Sequence, residues 1–118
     1  MEKVQGIGGF FFRARDPAVL AAWYQTHLGI GEPPWGLWSQ GAGPTVFAPF
    51  SERTDYFGRD SQQWMLNLRV RDLDAMLAQL AAAGIPAETR AEWDSPETGR
   101  FARIHDPEGN PIELWQPA

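Results

Sequence analysis

The chain has 118 residues, 43% of them hydrophobic, with six tryptophans and seven phenylalanines among them, enough to bury one core as a single domain. A net charge of −5, with nine arginines and one lysine scattered along the sequence, argues against nucleic acid as a partner, since phosphate binding needs clustered cations. Zero cysteines exclude disulfides, thiolate nucleophiles and Cys-based zinc sites. No apolar run reaches the roughly 18–20 residues of a membrane span, and the start shows no cleavable signal pattern; the expectation is a cytoplasmic protein with no membrane partner.

GGFFFRAR (8–15) reads as a strand that is apolar on at least one face. Gly6, Gly8 and Gly9 precede a strand rather than a helix, so they offer no helix N-terminus to a phosphate. Asp16 then stands where an N-cap belongs and Pro17 takes the favoured first helical position. A helix is predicted over 17–27, with Val19, Leu20, Trp23 and Tyr24 as its core stripe and Gly29 as its stop. Short apolar segments at 35–40 and 44–50 read as strands, and the polar stretch SERTDYFGRDSQQ (51–63) as a link.

The same grammar follows again. WMLNLRVR (64–71) reads as a strand, Asp72 as an N-cap, and 73–83 as a helix whose inward stripe is Leu73, Met76, Leu77 and Leu80. Gly84 ends it, and segments at 86–93, 100–105 and 111–116 read as further strands. Arg13, Arg15 and Asp16 recur as Arg69, Arg71 and Asp72, Gly29-Ile30 as Gly84-Ile85, and GPTVFAPF (43–50) lies over NPIELWQP (110–117). This internal repeat divides the single domain 1–118 into module one, about 5–57, and module two, about 62–118. The alternative is two unrelated β-α units that share an aspartate cap.

RARDPAVLAAWYQTHLGI, LRVRDLDAMLAQLAAAGI and above all HDPEGNPIELWQP (105–117) resemble the vicinal oxygen chelate superfamily. That group includes glyoxalase I, bleomycin-resistance proteins and extradiol dioxygenases. The resemblance implies an α+β fold of two tandem βαβββ modules, forming a cup-shaped mixed sheet with helices on its outer face. It also implies a homodimer that often completes the cup. The metal-ligand positions of the superfamily fall on Gly9, Val46, Met65 and Glu113, of which only Glu113 carries a hard donor. No cofactor is therefore predicted. A divalent metal at a relocated site using His27 or His105, the only histidines, is the alternative; His27 is expected in the last turn of a helix and His105 at a turn.

Strand parity assigns faces. With Gly9 and Met65 toward the cup, Phe11, Arg13, Asn67 and Arg69 face it too, and Glu113 and Trp115 do so on the last strand. Phe10, Phe12, Leu66, Leu68, Ile112 and Leu114 then meet the helices. Candidate ligand-binding residues are Phe11, Arg13, Asn67, Arg69, Trp115, Trp38 and Trp64, with Trp35, Phe47 and Trp93 at the wall or mouth and Glu113 as the one candidate catalytic group. The competing reading has Arg13 or Arg69 paired with a carboxylate and the tryptophans filling the cup as ordinary core. Three functions follow: a metal-free binder of a small molecule, like the bleomycin-resistance branch; an enzyme of the lyase, isomerase or dioxygenase type using Glu113 as base or a non-standard metal; or a domain without a small ligand.

Overall fold

Two aspartate caps set the frame of the computed structural model, which describes residues 1–33 and 36–118. Asp16 Oδ1 accepts from the Val19 amide at 3.2 Å and opens helix α1, Pro17–Leu28; Gly29, at φ 69°, closes it. Asp72 Oδ1 accepts from the Ala75 amide at 3.0 Å and opens α2, Leu73–Ala82, which is followed by Gly84 at φ 77°. A left-handed residue after a helix suits glycine because no Cβ meets the preceding turn. Both helices match their sequence expectation within a residue.

Three strands form the sheet: β1, Leu66–Arg69; β2, Gly99–His105; and β3, Pro111–Pro117, in the order β1-β3-β2. β1 runs parallel to β3 and β2 antiparallel to it, so the sheet is mixed and the class is α+β. One face carries Leu68, Ala102, Ile104, Ile112 and Leu114, which close on Leu20 and Tyr24 of α1 and Leu73 and Leu80 of α2. Full burial of each large aliphatic side chain here contributes on the order of 1.5–3 kcal/mol. Gly99 is required where β2 begins: its φ is +112°, and a Cβ there would collide with the Gln116 carbonyl oxygen.

The turn between β2 and β3 clasps α1. The Tyr24 hydroxyl donates to Asp106 Oδ2 at 2.7 Å, and the Asn110 side-chain amide donates to the same oxygen at 2.7 Å. The Glu108 and Asn110 amides donate to Asp106 Oδ1. Glu108 in turn accepts from the Arg15 and Asp16 amides at 2.7 and 3.1 Å, two of the N–H groups at the start of α1. Burial first, then Asp106, pushes the Tyr24 phenol above the ordinary tyrosine range.

The expected strands of the first half do not form. Residues 8–15 and 44–50 carry no strand, the described residues 36–40 contribute only the Glu32–Leu37 bridge, and in the second half 86–93 gives a Glu88–Arg103 bridge and one 3₁₀ turn, Ala91–Trp93. The reason is physical: a β-strand needs a partner edge, and alternating apolar residues do not supply one. Phe11, Phe47 and Val46 are consequently 94, 88 and 70% exposed. Among the described residues, no helix is long and apolar enough to cross a membrane.

Candidate ligand-binding site

The sheet face turned away from the helices carries the other alternation: Asn67 on β1, Phe101 and Arg103 on β2, and Glu113 and Trp115 on β3. Asn67 and Arg103 are both register partners of Glu113, one on each side. The Asn67 amide donates to Glu113 Oε1 at 2.7 Å. The Tyr56 hydroxyl donates to Glu113 Oε2 at 2.5 Å. Both carboxylate oxygens are thereby engaged and aimed.

Tyr56 comes from the polar link between the halves, and its ring is the wedge of the site. The Arg103 guanidinium carbon lies 4.4 Å from the Tyr56 ring centroid and 5.6 Å from that of Trp93. Arg103 thus stacks on two aromatic rings, a cation–π arrangement, while its neighbour Glu113 is satisfied by Tyr56 and Asn67. Arg103 Nη2 lies 3.5 Å from Met65 Sδ, a weak acceptor. Its Nε is buried without a hydrogen-bond partner among the described residues. Partial burial, helped by the bond to Glu113 and that carboxylate's charge, pushes the Tyr56 phenol up to about 12, against a smaller opposing effect of Arg103.

Further along the face, Phe101 and Trp115 are cross-strand partners with rings stacked at 3° and 6.1 Å between centroids, and Trp115 Nε1 donates to the Thr98 carbonyl at 2.8 Å. A concavity of 710 Å³ lies between the 48–54 segment and the stretch from Phe57 to Met65; of the residues around Arg103 and Glu113, only Met65 lines it.

The remaining predicted residues lie elsewhere. Phe11 and Arg13 are exposed, and Trp38 is 42% exposed. Trp64 meets Phe10 and Phe12 edge-on, and Phe12 in turn meets Tyr24 of the core. Arg69 donates to the carbonyls of Gly41 and Ala42, so it holds backbone of the first half, and among the described residues it pairs with no carboxylate. Phe47 is exposed, and Trp35 lies outside the described residues. Arg103 and Tyr56 were not anticipated. The alternation of Phe101 and Arg103 with Ala102 and Ile104 marks Arg103 for the open face; nothing in the turn-rich link singles out Tyr56.

The superfamily's metal positions do not fit a divalent ion. Gly9 and Val46 offer no side-chain donor, Met65 offers a soft thioether beside a guanidinium, and Glu113 already accepts from Tyr56 and Asn67. Among the described residues, no three His, Cys, Asp or Glu side chains converge to hold a metal. His27 is half-buried with its ring 5.5 Å from Trp23, and His105 is exposed at the end of β2.

Comparison with known proteins agrees with the fold. The sequence profile of the glyoxalase-like domain matches residues 9–115. The crystal structure of TnmS3, an antibiotic binding protein from Streptomyces sp. CB03234, superposes with a TM-score of 0.65 at 24% identity, covering 100% of both chains. A glyoxalase/bleomycin resistance protein from the same organism is 36% identical over 47% of this chain and 46% of its own, with a TM-score of 0.40. No curated protein matches the chain. With the profile spanning nearly the full length, the chain belongs to the glyoxalase-like family of the vicinal oxygen chelate superfamily.

Proposed function

We propose that this protein binds a small aromatic molecule on the open face of its sheet, without a divalent metal. The observation that carries this reading is the Tyr56–Glu113–Asn67 hydrogen-bond network with Arg103 stacked beside it, flanked by Trp93, Phe101 and Trp115. Flat apolar area supplies affinity and a few fixed polar groups supply orientation, as small-molecule sites require. TnmS3 is an antibiotic binding protein; its likeness extends to the fold, and the ligand class here rests on the lining. A general-base role for Glu113 is less favoured, because both its oxygens already accept hydrogen bonds and serve to position the carboxylate.

The reading includes a second copy of the chain. Module one, about 5–57, presents Phe11, Phe47 and Val46 to solvent, and β1 is an edge strand with a free side. Exposed apolar residues beside an open edge favour pairing with another chain. A homodimer in which the two modules pair into a closed cup would cover both, and would roof the Glu113 face.

The test is a panel of planar aromatic compounds read by tryptophan fluorescence and thermal shift, with E113A and Y56F as controls. The expected result is binding by wild type that both variants weaken about tenfold. Binding that neither variant alters would place the ligand elsewhere. Metal analysis of protein purified without chelator is expected to give no stoichiometric metal, and stoichiometric metal would overturn the metal-free part.

A further inference from the structure

Arg103 is the one cation of the polar cluster, and its surroundings are unusual for a guanidinium. Its five N–H donors face two aromatic rings and a thioether, and among the described residues it enters no ion pair. A carboxylate is its direct register partner, yet Tyr56 takes up one oxygen of that carboxylate by donating to Glu113 and lays its ring against the Arg103 guanidinium, 4.4 Å from centroid to carbon. The result is a half-buried charge with one buried N–H unmatched. Leaving a desolvated donor unmatched is unfavourable, and a guanidinium edge is shaped for two parallel bonds to a planar oxyanion.

We propose that Arg103 is the specificity residue of the site and that the ligand is an aromatic oxyanion, such as an aryl carboxylate, held bidentately by the guanidinium with its ring against the Trp93 side. The proposal rests on the binding function given above and adds the charge of the ligand. The wedge explains how it works. Tyr56 occupies one Glu113 oxygen and Asn67 the other, so Glu113 forms no direct ion pair with Arg103, and the incoming anion takes that role. Met65 fits the same scheme: a thioether borders the guanidinium without competing for it, where a carboxylate would have paired with it.

The probes are naphthoate and its neutral isostere naphthamide, titrated calorimetrically at neutral pH and low salt into the intact wild-type protein, R103K and R103M. Wild type is expected to bind the acid about tenfold or more tightly than the amide. R103M should lose that preference, and R103K should keep part of it, because a charge remains without the planar fork. Circular dichroism establishes that each variant is folded; if R103M is not, the acid-to-amide ratios of wild type and R103K decide. Equal wild-type affinity for both compounds would overturn the proposal while leaving aromatic binding intact. Binding of neither would remove both. Retention of the full preference by folded R103M would assign anion recognition to another residue.

Discussion

The hydroxyl of Tyr24 in α1 lies 2.7 Å from Asp106 Oδ2 in the turn before β3, a buried hydrogen bond between residues 82 positions apart. Removing only the hydroxyl leaves Asp106 bonded to the amides of Glu108 and Asn110 and to the Asn110 side chain. Y24F should therefore cost about 1 kcal/mol, and D106A, which strands all four donors, about 3 kcal/mol or more. Urea unfolding of the three proteins checks the order; equal stabilities would mean that the clasp does not hold in solution.

The two tyrosines of the chain, Tyr24 and Tyr56, both have phenols raised from the ordinary value of 10.0, Tyr56 to about 12. A folded-state value above the unfolded one means that the folded protein holds the proton more tightly. For Tyr56 the associated stability is complete below about pH 10 and is lost as pH climbs toward 12; Tyr24, raised further, loses its share only at higher pH. Near-ultraviolet titration should show little phenolate at pH 10 in the native protein, whereas in urea both tyrosines should be about half ionised. Early ionisation of one native tyrosine would mean that its hydrogen bond is open.

Asn67 and Glu113 share a register position, with 2.7 Å between amide nitrogen and carboxylate oxygen. N67D places two carboxyl groups at that distance, and one of them must keep its proton well above the usual carboxylate range. Because the folded-state value is the raised one, the variant should be close to wild type below about pH 4 and fall behind as pH rises toward neutrality. Urea midpoints at mildly acid and neutral pH measure this. A penalty independent of pH would show that the two side chains do not approach each other.

Phe11 and Phe47, 94 and 88% exposed, predict self-association. Light scattering should give a mass of two chains of 13.2 kDa each. F11D and F47D should shift the molecules toward single chains and make the melting temperature less dependent on concentration. A wild-type mass of one chain at all concentrations would remove the dimer.

The helices were legible in the sequence because their signals are local: Asp16 with Pro17, Asp72, and the glycines that follow each helix lie within a turn of what they specify. β2 and β3 were legible because alternation in Ala102–Ile104 and Ile112–Leu114 matches one buried face. The first-half segments are apolar runs, Phe10 to Phe12 and Val46 to Phe50, and formed no strands, since pairing is decided by an edge that local sequence does not provide. The site divides in the same way. Parity placed Asn67 and Glu113 on one face, where they are hydrogen-bonded. Trp64, a candidate ligand-binding residue, shares the parity of Leu66 and Leu68 and meets Phe10 and Phe12 instead. Tyr56 has no period to betray it, because its position depends on how a turn-rich link folds back over the sheet.

Glu108 accepts from the Arg15 and Asp16 amides while its own amide donates to Asp106, so the start of α1 and the turn before β3 share one set of donors and acceptors. The Arg15 and Asp16 bonds lie at the surface, so it is the shared Glu108, not burial, that ties them to the turn. In amide hydrogen exchange the amides of Arg15, Asp16, Glu108 and Asn110 thus belong to one opening unit, although nearly the whole sequence separates its two parts. The first helix is fastened by the last turn, and the two ends of the chain open as one.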